Sequence, residues 1–345
     1  MGKITLGEVA IESKATWKSD KVGVPIVGLE HLEPGEITLS NWEIDSENTF
    51  TKKFSKGQVL LGRRRVYLRK AVIAPVDGIC SGDITVIEAI PGKILPELLP
   101  FVIQNDKFFD YAVQGSAGSL SPRVKWEHLK KYSFELPSID EQKVLANKLW
   151  TAYRLKESYK KLLSATDEMV KSQFIEMFGD DKYPLIKLGD YTDLTWGDTN
   201  TTKNSYVQEG YLAFSASGPD GKLDHFDYDC EGVVLSAIGA DCGKTWFASG
   251  KWSCIKNTIR FWSTSNELDN RFLYFATREK SFWPRRGGAQ PFISQGDARN
   301  CFIILPPVSL QRKFVGISEQ ADKSKFELRK SIEAIDAVIK SLINY

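Results

Sequence analysis

No apolar run in the sequence approaches the roughly 18 residues that a membrane-spanning helix needs. The opening Met1-Gly2-Lys3-Ile4-Thr5-Leu6 has neither the apolar stretch of a signal peptide nor the hydroxyl residue at position six that myristoylation requires. Cysteine is scarce. Five in 345 residues is an odd number and too few for a disulfide scaffold, so a reduced cytoplasm is the expected setting. Charge of one sign is also missing: 46 basic residues against 44 acidic ones leave a net charge of +2. Overall electrostatics therefore indicates no partner, and any such argument must come from local clusters.

Signatures of catalysis are absent as well. The three histidines share no pattern with a serine or cysteine nucleophile, and there is no Gly-x-Ser-x-Gly elbow. The Asp/Asn-Pro-Pro-aromatic tetrad that would grip an exocyclic amine is missing; Leu305-Pro306-Pro307-Val308 offers only its prolines. Gly239-Ala240-Asp241-Cys242-Gly243-Lys244-Thr245 places three residues between its glycines where a phosphate-binding loop has four, so it reads as strand, turn and strand. Cys230, Cys242 and Cys254 fall twelve apart with no C-x-x-C pair, a poor zinc pattern even with His225 nearby. Pro219-Asp220 lacks the later acid-x-Lys of a nuclease centre. The expectation is a chain that binds without catalysing, with no metal and no cofactor of its own.

What the sequence does have is a second copy of itself. Ile4-Thr5-Leu6-Gly7-Glu8 returns as Ile186-Lys187-Leu188-Gly189-Asp190, and Lys56-Gly57-Gln58-Val59-Leu60-Leu61 as Glu231-Gly232-Val233-Val234-Leu235-Ser236. Lys70 and Cys80 then match Lys244 and Cys254. An ungapped stretch pairs Gly118 with Gly287, Pro122 with Pro291, Val124 with Ile293, Leu136-Pro137 with Leu305-Pro306 and Gln142 with Gln311. Five matches in one order point to a duplication.

Each copy changes character once. Residues 1–137 and 180–306 mix Gly, Pro and aromatics with short β-leaning runs such as Ala71–Ala74, Ile84–Ile87, Val233–Leu235 and Thr258–Trp262. Short helices are expected at Pro100–Val113 and Asn270–Trp283. Residues 138–179 and 307–345 are different: from Ile139 to Phe178 there is no Gly or Pro, and apolar side chains recur about every 3.5 positions from Leu145 to Met177. The second segment repeats this from Phe314 through Ala321, Ser324 and Leu328 to Val338 and Leu342. Helices of roughly 60 Å should bury these stripes on each other. The expected fold class is α+β, mixed: two duplicated α/β globules separated by two long helices in an antiparallel coiled coil with a pseudo-two-fold.

Between Thr51 and Val76 lie Lys52, Lys53, Lys56, Arg63, Arg64, Arg65, Arg69 and Lys70, with no acid. The second copy has Lys244, Lys251, Lys256 and Arg260 among Trp246, Phe247, Trp252, Phe261 and Trp262, followed by Arg285, Arg286 and Gln290 in a Gly-rich loop. Arginine forks suit guanine edges and phosphates, and Gln suits adenine, so such loops can both position and read duplex DNA. The candidate DNA-binding residues are Arg63, Arg64, Arg65, Arg69, Lys70, Arg123 and Lys125 in the first copy. In the second they are Lys244, Trp246, Arg285, Arg286 and Gln290.

These features resemble the specificity (S) subunit of type I restriction–modification systems. The match rests on an Ile-x-Leu-Gly-acid opening, a Gly-x-Val-Leu strand, a Gly-x-x-x-Pro loop, and a closing Leu-Pro-x-x-x-x-Gln into a long helix, each present twice. Ser309-Leu310-Gln311 departs from the first copy's Asp140-Glu141-Gln142. The resemblance implies two target recognition domains that each read half of a bipartite DNA site, with the helices as spacer. It also implies two methylation (M) subunits carrying S-adenosylmethionine, and motor–nuclease (R) subunits. The rival expectation is a coiled-coil assembly scaffold whose globules bind protein.

Overall fold

The computed structural model describes residues 2–118, 120–179 and 182–343. The chain forms two compact units, one comprising Met1–Leu162 with Leu328–Tyr345 and the other Leu163–Glu327. Each unit therefore contains one globule and a stretch of both long helices.

In the first unit, Gly2–Thr5 pairs antiparallel with Ser133–Leu136, setting Ile4 opposite Phe134. A four-stranded antiparallel sheet follows in the order Ala10–Glu12, Ile84–Ala89, Val59–Gly62, Ala71–Ile73. A second sheet orders Glu43–Ile44, Pro25–Val27, Gly78–Cys80 and Lys52–Phe54, with a parallel pairing between Pro25–Val27 and Gly78–Cys80. The second unit repeats all three. Leu185–Lys187 pairs with Phe302–Ile304; one sheet runs Thr192–Trp196, Thr258–Ser263, Gly232–Ser236, Thr245–Ala248, and the other Gly218–Leu223, Tyr211–Ser215, Lys251–Cys254, Tyr228–Asp229. The duplication is thus a duplication of topology. Registers set Leu60 against Val86 and Val234 against Arg260, one residue away from the alignment of Lys56 with Glu231. Cys80 and Cys254 hold matching buried places on the parallel-paired strands, and burial pushes both thiols up to about 12.

The recurrent motifs have physical causes. Leu6 and Leu188 are fully buried, and the glycine after each lets the backbone close on a neighbouring turn. A Cβ on Gly7 would lie 3.0 Å from Lys130 Cβ, and one on Gly189 3.0 Å from Arg299 Cβ. The closing glutamines are buried latches. Gln142 accepts from the Leu95 amide (2.9 Å) and donates to the Pro137 carbonyl (3.0 Å). Gln311 accepts from the Asp269 amide (2.8 Å) and donates to the carbonyls of Glu267 and Pro306 (both 2.7 Å). One amide side chain satisfies groups of the globule and of the helix start together.

The long helices are Ile139–Phe178 and Val308–Ile343. Within the first unit they run antiparallel, Lys156 meeting Asp336 (2.6 Å) while Leu342 and Ile343 pack near Leu145 and Leu149. In the second unit Lys325 meets Asp167 (2.8 Å) and Phe314 lies 5.3 Å from Phe174, again antiparallel. Two stripe positions differ from the 3.5-residue expectation. Ser324 and Val338 face solvent, and Lys325 and Ile339 take the inward places. An unsupercoiled helix of 3.6 residues per turn drifts by one position over this length, and the buried Lys325 is neutralised by Asp167 and Asp322. The expected short helices are interrupted. Leu99–Ile103 and Asp106–Gln114 are separate, and Asn270–Thr277 ends before a turn at Lys280–Phe282. Among the described residues no helix is long and apolar enough to cross a membrane.

Candidate nucleic-acid interface

In the first unit the loop after Val59–Gly62 joins the loop before the short helix Trp126–Leu129. Arg64 bridges Arg123 across the two loops, the Arg65 amide donates to the Pro122 carbonyl (2.8 Å), and the Val124 amide donates to the Arg63 carbonyl (3.0 Å). Three arginines are thereby fixed beside a fourth. Arg64 and Arg123 share an acid that the sequence does not single out, Asp83. Its carboxylate accepts from Arg123 Nε (2.7 Å) and Nη2 (3.1 Å), and lies 3.6 Å from Arg64 Nη1. Hydrogen bonds from Arg123 hold the Asp83 carboxyl below its usual range. The Arg63 Nε is shielded from solvent and has no hydrogen-bond partner among the described residues. Arg65 and Lys125 are exposed beside this cluster.

Two candidates of this unit are engaged elsewhere. Arg69 spans Asp106 and Asp110, the latter at 3.0 Å. The Lys70 ammonium donates to the Leu29 carbonyl (2.7 Å). Both tie the loop to its own globule.

The second unit builds the same pair of loops. Ile238 bridges Phe292, Phe292 bridges Arg286, the Gly239 amide donates to the Pro291 carbonyl (3.0 Å), and the Ile293 amide donates to the Ala237 carbonyl (2.8 Å). Here the cations sit differently. Lys244 pairs with Asp241 (2.5 Å), whose carboxyl it lowers, and Lys280 reaches the Ala240 carbonyl (3.5 Å). Arg286 pairs with Asp297, while Arg285 and Gln290 are exposed on the same loop. Lys280 is the cation missed in the sequence; it lay inside a segment read as continuous helix.

The aromatic-rich basic stretch of this unit does not form one face. Strand alternation turns Trp252 and Phe261 into the core. Lys251 covers the Phe226 ring (4.6 Å), and Arg260 stacks on Trp262 (4.1 Å) while pairing with Asp193 (2.7 Å). Trp246 is half-buried, its ring against Gly218 in a small core with Phe214 and Trp252.

A family model described as the type I restriction modification DNA specificity domain matches residues 150–336, more than half of the chain. The chain belongs to this family. The S subunit of a type I restriction–modification system from M. genitalium is similar in structure, with a TM-score of 0.65 at 15% identity over 99% of this chain and 95% of that one. A second similar structure addresses complex assembly and conformational transition of the type I R-M system; its TM-score is 0.59 at 18% identity, covering 99% and 96% of the two chains. At such identities the likeness is one of fold. No curated protein matches the sequence.

In this member of the DNA specificity domain family the two loops differ in backbone chemistry. Arg65 (φ 52°) and Arg69 (φ 54°) adopt the left-handed conformation where the second unit has Gly239 (φ 104°) and Gly243 (φ 92°). A non-glycine residue there costs on the order of 1 kcal/mol, and such outliers cluster where the side chain is needed. For Arg69 the two aspartates supply a structural reason. Arg65 has none of that kind among the described residues. Arg65→Gly is therefore expected to leave the melting temperature unchanged or raised while weakening DNA binding several-fold. A fall in both together would place Arg65 in the fold alone.

Proposed function

We propose that the chain is the non-catalytic specificity subunit of a type I restriction–modification complex, each unit reading one half of a bipartite DNA site. The observation that carries this reading is the shared pair of bridged loops, which gathers arginines in one unit and lysines with arginines in the other. In the first unit Arg63, Arg64, Arg65 and Arg123 would face base edges, with Arg64 and Arg123 held side by side by Asp83 and Lys125 on a phosphate. In the second, Arg285, Arg286 and Gln290 would reach bases while Lys244 meets the backbone. The long helices would set the unread gap and seat two methylation subunits. Those subunits would carry S-adenosylmethionine and the methyl-transfer site, and motor–nuclease subunits would complete restriction.

Affinity for duplex DNA should fall steeply and linearly in log K against log salt, as counterions return to the phosphates. A protein-binding scaffold would show no such slope. Lys125→Ala should weaken all duplexes alike and reduce the salt slope by about one. Arg285→Ala should instead relax selectivity at one base position; unchanged affinity and selectivity across single-base variants would remove it from the interface. The chain with S-adenosylmethionine and DNA alone should transfer no methyl group, and should gain transfer when a methylation subunit is added.

A further inference from the structure

The two units build one loop pair from opposite side-chain chemistry. The backbone bonds recur place by place. The Arg63 amide donates to the Asp83 carbonyl (2.9 Å), and the Ala237 amide donates to that of Asn257 (3.0 Å). Arg64 bridges Arg123 where Ile238 bridges Phe292, and the Arg65 amide meets the Pro122 carbonyl where the Gly239 amide meets that of Pro291. Three matched places therefore carry Arg64, Arg123 and Asp83 in the first unit, and Ile238, Phe292 and Asn257 in the second. Two cations with a shared acid stand where the other unit has two apolar side chains and no acid.

Each set leaves one side chain uncommitted. Arg123 gives both Nε and Nη2 to Asp83 (2.7 and 3.1 Å). Arg64 comes only to 3.6 Å of the same carboxylate, and its guanidinium makes no hydrogen bond among the described residues. A guanidinium fork held in this way matches the O6 and N7 acceptors on the major-groove edge of guanine. In the second unit Ile238 leans on the core, whereas Phe292 is 40% exposed and has no ring partner among the described residues. It stands on the loop that carries the exposed Arg285 and Gln290, so its surroundings suit an anionic duplex. A phenyl ring offers guanine no donor. The one apolar feature of the major-groove edge is the C5 methyl group of thymine, which Phe can cover.

We propose that the first unit selects a guanine through Arg64, with Arg123 and Asp83 as positioning residues, and that the second unit selects a thymine by its methyl group through Phe292 and Ile238. This rests on the reading that each unit takes half of a DNA site, and adds which base each loop pair prefers. The test starts from the site that the assembled complex selects, its two blocks assigned to the units by Arg123→Ala and Arg285→Ala. Each guanine of the first block is replaced in turn by 7-deazaguanine, which lacks the N7 acceptor. Each thymine of the second block is replaced in turn by uracil, which lacks only the methyl group. In competition with the parent duplex, one 7-deazaguanine should weaken wild-type binding about tenfold or more. One uracil should weaken it about three- to fivefold, the effect of one buried methyl group. Arg64→Ala should be indifferent to that 7-deazaguanine and still sense the uracil; Phe292→Ala should do the reverse. A first block without guanine, a second block without thymine, or replacements that all bind like the parent would overturn the proposal. So would uracil without effect while Phe292→Ala loses affinity, which would mean that the ring stacks on a base. If the complex selects no two-block site, the half-site reading itself fails.

Discussion

Replacing Arg64 and Arg123 together by alanine is expected to weaken binding to the subunit's own target by about a hundredfold or more, with a much smaller loss on unrelated duplexes, since each base-reading arginine contributes roughly tenfold or more of discrimination. The reason is geometric. Arg123 is held in a two-pronged contact by Asp83, and Arg64 lies beside the same carboxylate, so neither guanidinium must be ordered when DNA arrives. Asp83→Asn separates positioning from mere presence. Removing the negative charge should raise affinity for random duplex, while loosening the arginines should lower the ratio of target to random binding. Competition binding on target and scrambled duplexes checks both variants. A uniform loss across sequences after the double substitution would show that these arginines touch only phosphates.

Gln311→Ala should produce the largest loss of stability, about 3 kcal/mol, because it strands the Asp269 amide and the carbonyls of Glu267 and Pro306 in a buried place. That corresponds to a fall in melting temperature of about 6–12 °C for a unit of this size. Gln311→Glu should fare little better, since a carboxylate cannot donate to those carbonyls. Gln142→Ala strands fewer groups and should cost less. Thermal unfolding followed by calorimetry settles the order; Gln311→Ala within a degree or two of the wild type would show the latch to be ornamental.

Much of this architecture is legible in the sequence because duplication writes each constraint twice. The Leu-Gly pairs, the buried cysteines and the Leu-Pro-x-x-x-x-Gln closures each mark a place where backbone or side chain has no alternative, and those requirements recur in both units. The helix stripes were visible, but their phase was not, since a 3.5-residue template and a 3.6-residue helix part company by Ser324. The loop cluster was only half visible. A run of basic residues shows abundance without direction, so Arg64, Arg69 and Lys70 read alike although Arg64 lies beside Asp83, Arg69 pairs with Asp106 and Asp110, and Lys70 donates to the Leu29 carbonyl. Trp246 shows the same lack of direction: an aromatic beside lysines suits a base, and only the fold shows that its half-buried ring packs on Gly218. Asp83 escaped notice because an acid counts against a nucleic-acid surface until its partners are known.

The central claim is that each unit reads its own half of one DNA site. Its most direct test is selection of bound sequences from a randomised duplex library by the assembled complex, repeated with Arg123→Ala and with Arg285→Ala. The account predicts two short defined blocks separated by a fixed unread gap, with the first variant blurring one block and the second blurring only the other. A single uninterrupted site, or a variant in one unit that degrades both blocks equally, would contradict it.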